Sequence, residues 1–550
     1  MTKRKHLLDT KTKIVLGIIL LLATGFRFYN LNWDMGLYFH PDERNIAAAV
    51  STIILPSQMD PKFYAYGGFL IYLYKSTADG LALLLHNSSL PHDWAWINLI
   101  GRSYSAFFSV MVILPLYFLA KKLFDQRTAF LTCIIYALTV SSIQTAHFST
   151  TENLLSLLIV LIALLAINLF EKPSYKKTVI IGLVVGIAIA TKTTGISFFV
   201  APLLALLILL YKKKIKFSQA LFLSLVMGLT AFVTFCIFSP YTFLNWNKFM
   251  ESMRYENSVV LGTNRVVYTL QFSSTPRYLF QLINLVWQLG VFASIAVLGV
   301  IVTTIQELRR RRATFIIFCS FPFLYFLYVG SWYTKFNRYT VPLLPFFIIF
   351  GCHFMLIILK RYRVAGSILT AGMVGATFLY AVAFMSVYRN IPTRIAASEW
   401  IYQHIPPGKF ILSEHWDEGL PIPLPGKDPQ RYQLLPLTIY EPDNSAKLDY
   451  YANYLSQADY ITINSRRLYG TLTHLPKKFP LTAKYYQLLF NGKLGYKKVG
   501  EFSSYPQILG LTINDDLSEE TFQVYDHPKA LIFSNIKHYS FLELKKILSK

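Results

Sequence analysis

The amino-acid sequence predicts a polytopic α-helical membrane protein of about eleven spans, followed by a C-terminal extracytoplasmic α/β domain. Three observations carry this. Of the 550 residues, 54% are hydrophobic and only 15% charged, with mean hydropathy +0.41; a soluble globular chain is about 25% charged. The apolar residues gather in runs of roughly 20, the length that crosses a hydrocarbon core of about 30 Å. The basic residues alternate. The N-terminus, 121–127, 171–177, 212–216, 306–312 and 360–363 together hold 22 Lys or Arg against 4 Asp or Glu. The loops between them are near balance, which is the positive-inside pattern. The net charge of +24 is spread over these short clusters. That excludes a single basic face for nucleic acid.

The first apolar run, 14–32, follows a basic N-terminus. No small-residue cleavage site follows it cleanly, so it reads as an uncleaved span. Arg27 lies near its outer end, within reach of the interface or the bundle interior. A first extracytoplasmic loop, 33–97, comes next. Within it 69–85 is apolar but carries Lys75, Asp79 and Gly80, which predicts an interfacial or re-entrant helix. Further spans are expected at 99–120, 128–146, 151–170, 178–191, 195–211 and 218–238. The fifth, 178–191, is short, as for a span that ends inside a water-filled cavity. After a polar, aromatic loop at 240–284 come spans at 285–305, 313–330, 340–359 and 364–386. Eleven spans with the N-terminus cytoplasmic place 388–550 outside. This tail holds 16 of the 29 acidic residues and five prolines between 406 and 425. KFILSE (409–414), ADYITIN (458–464), QILGLTI (507–513) and KALIFS (529–534) read as strands; ASEWIYQHI and KYYQLLF read as helices. The expected domains are 1–387 and 388–550. Four cysteines, all in apolar runs, predict neither a disulfide framework nor a metal site.

Candidate chemistry lies in the outer loops. Asp42 and Glu43 follow His40 and Pro41 just beyond the first span. Such a pair can accept a proton from an attacking hydroxyl or grip a polar substrate; it also reads as an ordinary acidic loop. Trp33, Tyr38, Phe39 and His40 around it suit a sugar-stacking or interfacial wall. Arg102, Lys192 and Arg338 lie on the side where the positive-inside rule places no charge. A phosphate held at the outer face would explain them; so would headgroup anchoring. His147, Glu152 and Asn153 form a third outer group. Glu152 is hard to bury unpaired, so it is expected to pair with Arg102 or Lys192 or to bind substrate. HWDEG (415–419) is a second acidic pair beside a histidine, but its spacing is no specific ligand pattern.

Five stretches in order carry a resemblance: FHPDERN (39–45), FYAYGGFLIYL (63–73), GRSYSAFFS (101–109), ATKTTG (190–195) and FNRYTVPLLPF (336–346). The chain resembles GT-C class membrane glycosyltransferases, specifically family 39 and the aminoarabinose-transferase-like group. This includes the protein O-mannosyltransferases and the prokaryotic phospholipid carrier-dependent glycosyltransferases. The ending FQVYDHPKALIF (522–533) is similar to one prokaryotic subgroup. The resemblance implies a GT-C-like catalytic domain, a polyprenyl-monophosphate sugar donor, and transfer at the extracytoplasmic face, usually with inversion. It implies Asp42 as base with Glu43 orienting it or the substrate. Arg102 and Lys192 match residues linked to the donor phosphate, and Arg338 with Tyr339 match an outer RY pair. His40, Tyr66, His147, Glu152 and Tyr339 are the candidate substrate-binding residues. The tail differs from that of the eukaryotic mannosyltransferases, which puts a protein acceptor in doubt and leaves the acceptor open.

The chemistry is consistent with that implication. A lipid phosphate is already a fair leaving group, so cationic side chains suffice to stabilise it. No obligatory cofactor is expected; the basic residues can replace a divalent metal, although one has room beside Asp42 and Glu43. The partners expected are the lipid-linked donor and membrane lipid. The rival readings are a transporter or flippase for a lipid-linked glycan, and a non-catalytic subunit of cell-envelope assembly. The first explains the external α/β domain poorly, and no internal repeat of the transporter kind is visible; in the second, the tail would recruit cell-wall enzymes.

Overall fold

The computed structural model describes residues 9–549; the basic cluster at 3–5 lies outside the described residues. The chain divides into two units. One comprises the residues up to Val260 with Pro276–Val382. The other comprises Leu261–Thr275 with the residues from Ala383 onward.

The first unit is helical. Eight helices among the described residues are long and apolar enough to cross a membrane. A ninth candidate is a pair, Gln126–Ala137 and Val140–Ala146, bent by 52°. Two further expected spans are helical but fall short of that standard. Thr10–Phe28 carries Lys11, Lys13 and Arg27, and Tyr175–Thr191 has 17 residues. The protein is a multi-pass membrane protein.

The bend in the broken pair has a physical fastener. The Arg27 guanidinium is fully buried. It donates to the carbonyls of Ala137 and Tyr136 at 2.8 and 3.0 Å and to Ser109 Oγ at 2.8 Å. Carbonyls freed where a helix breaks need donors, and here a neighbouring helix supplies them. Tight packing elsewhere uses small residues. A Cβ on Gly182 would lie 2.6 Å from the Met227 carbonyl oxygen, and one on Gly186 would lie 2.5 Å from Thr234 Cβ. This small-xxx-small face seats Tyr175–Thr191 against Phe217–Phe238.

The second unit holds a five-stranded sheet. Its strands are β1 (Phe410–Glu414), β2 (Gln433–Leu437), β3 (Tyr460–Ile463), β4 (Tyr496–Phe502) and β7 (Ala530–Asn535). The order is β2-β1-β3-β7-β4. β1 is parallel to both neighbours, while β7 runs antiparallel to β3 and β4. The central strands β1, β3 and β7 are buried almost throughout, so they read as continuous apolar runs in sequence. The edges β2 and β4 are largely exposed, and β2 carries Pro436, a residue suited to an edge. QILGLTI is not one strand. It forms a separate hairpin of β5 (Gln507–Ile508) and β6 (Leu511–Thr512). Leu509 and Gly510 both have positive φ, 48° and 82°, the geometry of a tight hairpin turn. The segment Leu261–Thr275 belongs to this unit. Leu270 is buried in its core with Leu412 and Leu437, and Gln271 donates to Glu520 at 3.1 Å.

Candidate active site

The first-loop helix Pro41–Thr52 sets the geometry. His40 is its N-cap, with Nδ1 accepting from the Asp42 amide at 3.2 Å, and Pro41 fills the first helical position. Burial pushes the His40 imidazole below its ordinary value, which suits a neutral ring nitrogen accepting that bond. Asp42 and Glu43 then fall in the first turn, where the helix dipole favours anions. Being successive, they point to different sides of the helix.

Glu43 is fully buried. It accepts from Arg102 Nε and Nη2 at 2.8 and 2.6 Å and from the Ser149 amide at 2.6 Å. Arg102 also holds both oxygens of Asp34, at 2.9 and 2.7 Å, and the Leu31 carbonyl at 2.9 Å. A guanidinium has five N–H donors, and all five are used. Its plane lies over the Trp33 ring, 5.1 Å from the centroid. The helix carrying Arg102 comes this close because of a glycine. A Cβ on Gly101 would lie 1.8 Å from Ser149 Oγ.

Asp42 faces the other way. It accepts from Tyr66 Oη at 2.7 Å and pairs with Arg338. Its side chain keeps 20% exposure and that of Arg338 keeps 31%. Burial acts to raise the Asp42 carboxyl, but Arg338 above all holds it down at about 2. Tyr66 reaches this point through the two glycines that follow it. A Cβ on Gly67 would lie 2.0 Å from the Ala190 carbonyl oxygen, and one on Gly68 2.8 Å from that of Phe238. The Gly67 amide donates to Thr191 at 3.0 Å, which brings the aromatic loop beside Lys192.

Lys192 stands in the break between Tyr175–Thr191 and the 3-10 turn Thr193–Phe199. Its ammonium is 5.3 Å from the Tyr66 ring centroid and 5.9 Å from that of Tyr339. It lies 3.6 Å from Glu152, which is 4% exposed and opens its own helix. Arg338 and Tyr339 come from the 3-10 turn Asn337–Tyr339. A small cavity of about 20 Å³ is lined by Glu152, Lys192, Tyr325, Trp332, Arg338 and Tyr339, among others. The structure therefore brings together Asp42, Tyr66, Glu152, Lys192, Arg338 and Tyr339. It sets Glu43 and Arg102 behind them, saturated. His147 is placed otherwise: it is buried, with ring nitrogens 2.8 and 2.9 Å from the carbonyls of Ile143 and Tyr29.

Two acidic residues escaped the sequence reading. Asp34, the second partner of Arg102, sits in the same first loop, eight residues before Asp42. Glu256, on Trp246–Leu261, has its carboxyl raised by burial while Arg338 draws it down and Asp42 pushes it up. Only its position in a polar, aromatic loop could have flagged it. At HWDEG, His415 meets the Tyr440 hydroxyl at 2.7 Å, and Asp417 pairs with Arg394 at 3.2 Å. No group of three or more His, Cys, Asp or Glu among the described residues could hold a metal.

The sequence profile described as dolichyl-phosphate-mannose-protein mannosyltransferase matches residues 99–238. No curated protein matches the chain by sequence. In structure, the chain is similar to the apo oligosaccharyltransferase of Archaeoglobus fulgidus. The TM-score is 0.54 at 14% identity, over 91% of this chain and 75% of the other. A second structure of that archaeal enzyme, with an inhibitory peptide and a dolichol-phosphate, matches at TM-score 0.52 and 13% identity. It covers 96% and 89% of the two chains. The fold is that of the GT-C membrane glycosyltransferases.

Proposed function

We propose that the protein is a glycosyltransferase that takes its sugar from a polyprenyl-monophosphate donor at the extracytoplasmic face, with inversion. One observation carries the reading. A carboxylate that keeps solvent access, Asp42, meets Tyr66 and Arg338 beside a pocket lined by Arg338, Lys192, Tyr325, Trp332 and Tyr339. A lipid-linked donor also needs a place for its chain. An apolar groove of about 220 Å³, lined by Leu282, Val297, Phe323, Phe326 and Phe347 among others, shares the helix Ala313–Gly330 with the pocket. Tyr325 faces the pocket and Phe326 the groove. The complex of the archaeal oligosaccharyltransferase, a protein of the same fold, with a dolichol-phosphate supports a lipid phosphate as the ligand.

In the reaction, Arg338 and Lys192 bind the donor phosphate and stabilise the charge that gathers on it. The acceptor hydroxyl attacks the anomeric carbon and gives its proton to Asp42. The bond from that carbon to the phosphate oxygen breaks, and the electron pair leaves with the lipid phosphate. A carboxylate held at about 2 by its partner is a weak base. When the phosphate draws Arg338 away, the Asp42 carboxyl rises and its basicity increases. Donor binding thus arms the base. Arg102 and Glu43 serve as positioning residues, fixing the helix that presents Asp42. The same donor chemistry leaves the acceptor open: glycan, lipid or protein.

The test is sugar transfer from a panel of polyprenyl-phosphate sugars, comparing wild type with Asp42→Asn. The wild type turns over and the variant falls by about 10²–10⁴-fold, the usual worth of a general base. Equal turnover would move the base elsewhere, with Glu256 or Glu152 next.

A further inference from the structure

The hairpin β5–β6 exposes what a soluble turn hides. Leu509 is 96% exposed, Leu511 73%, and Leu517, in the segment leaving the hairpin, 88%. Positive-φ turn positions favour Gly, Asn or Asp, which cost nothing in water; here one of them is Leu509. From Ser503 to Asn514 the chain carries no charged residue, although the domain around it is rich in acid. Tyr505 donates to Asp516 at 2.8 Å, which ties the Leu517 segment to the hairpin root.

The root has a fixed place. The Gln507 amide donates to Ser386 Oγ at 3.0 Å, and Asn390 Nδ2 donates to Ser504 Oγ at 3.3 Å. Ser386 lies on the last turn of the helix Arg363–Arg389, and Asn390 follows it. That helix begins at the charged cluster 360–363. Twenty-three residues at about 1.5 Å each carry it roughly 35 Å, just past a hydrocarbon core of about 30 Å. Ser386 therefore stands where this last span leaves the bilayer, and the hairpin is rooted at headgroup depth.

We propose that the hairpin tip inserts into the lipid interface, with Leu509 and Leu511 entering the boundary between headgroups and acyl chains and Leu517 beside them. The occupant of this apolar tip is lipid, not a protein partner, because the surface continues from the end of a membrane span and is two or three side chains wide. It acts as a second attachment of the C-terminal unit to the bilayer, independent of the reaction proposed above. Short apolar tips of this kind bind membranes weakly and reversibly alone; tethered to a span, the tip holds an orientation.

The experiment uses the full-length protein in lipid nanodiscs. Cys133, Cys319 and Cys352 are buried free thiols, so Cys236→Ser gives a quiet background. Leu509→Cys and, separately, Leu511→Cys are labelled with an environment-sensitive fluorophore. A third site, Lys493→Cys, lies before β4, which carries the chain about 20 Å further on before the hairpin. The expected result is blue-shifted emission at 509 and 511, quenched about twofold or more by lipids spin-labelled near the headgroup, with a water-like label at 493. These side chains are solvent-exposed, so the substitutions leave packing intact, and unchanged gel-filtration behaviour checks this. Water-like emission without lipid quenching at both 509 and 511 overturns the proposal. So does quenching equal to that at 493, which would mean nonspecific exposure to lipid, and so does shielding in lipid-free detergent-exchanged protein that only added protein produces.

Discussion

Glu43 meets Arg102 through two hydrogen bonds, has a third from the Ser149 amide, and is out of solvent. Asp42, one residue earlier, meets Arg338 while both side chains keep a fifth to a third of their surface open. Both are carboxylate–arginine pairs whose acids share one helix turn, and they differ in what they leave open. In the first, five donors meet their acceptors and nothing remains to offer a ligand. In the second, the partners are few, solvent reaches them, and a phosphate can compete. Saturation, not charge or burial alone, separates a structural ion pair from one that can bind and react. Asp515–His527–Asp526 in the C-terminal unit is a second saturated case. His527 lies 2.8 and 2.5 Å from the two carboxylates, all fully buried, and Tyr388 donates to Asp526 at 2.9 Å.

The largest effect that could break this comparison comes from Arg102→Met. It strands the carboxylates of Asp34 and Glu43 in a buried site, at a cost of about 3–5 kcal/mol. Folded yield and thermal stability in detergent should fall sharply. Asp42→Asn, next door, should leave both nearly unchanged while transfer falls by about 10²–10⁴-fold. If Arg102→Met folds as the wild type does and only loses donor affinity, then Arg102 binds phosphate and its saturation is a feature of the resting state alone.

His527 sharpens the comparison in water. Against burial, Asp526 and Asp515 hold its imidazole up at about 10, from an ordinary value of 6.5. A pKa raised on folding gives stability that is complete below the unfolded value and lost as pH rises through the folded one. Protection of the β7 amides against hydrogen exchange, corrected for intrinsic rate, should therefore decline between about 6.5 and about 10. His527→Gln should lower it by about 3 kcal/mol at neutral pH and flatten that decline. A wild-type profile without the decline would show that the imidazole is neutral.

The contrast between saturated and open charges also marks how far the sequence could be read. The central strands were legible because β1, β3 and β7 are buried on both faces and their apolar runs are unbroken. The edges β2 and β4 alternate or carry proline and charge, so they resemble loops. The turn inside QILGLTI was masked by leucine at a position where glycine or asparagine is the usual signal. Each of the eleven expected spans has a helix, but the break at 138–139 was invisible because the arginine that satisfies it lies over 100 residues away. In the site, Lys192 and Arg338 were legible as basic residues that the positive-inside pattern leaves unexplained, and Asp42 as half of an acidic pair just past the first span. That all five donors of Arg102 are taken was not, since this depends on Asp34 and a backbone carbonyl arriving in space. The strap Leu261–Thr275 joined the second unit for the same reason: its one buried leucine carries no periodicity.

A smaller effect tests whether the open pair is a coupled device. Arg338 is the main influence holding the Asp42 carboxyl down. Arg338→Gln should let burial push that carboxyl up. The acidic limb of kcat/KM, which reports the free enzyme, should then move from below the measurable range to the ordinary carboxylate range or above. Donor KM should rise as well. A limb that stays put while KM rises would make Arg338 a phosphate ligand with no hold on the base.

The smallest effect belongs to Lys192. Its contact with Glu152 is loose, at 3.6 Å, and its side chain is 18% exposed. Lys192→Gln should therefore cost little stability. What it removes is one charge-assisted contact to the donor phosphate, about 1.5 kcal/mol or somewhat more, so donor KM should rise about tenfold. The division between kcat and KM then says when the contact forms. A rise in KM with kcat unchanged places it equally in the bound donor and the transition state; an equal fall in kcat and kcat/KM places it on the departing phosphate alone. Unchanged kinetics would remove Lys192 from the donor site and leave it as the partner of Glu152, one more closed pair.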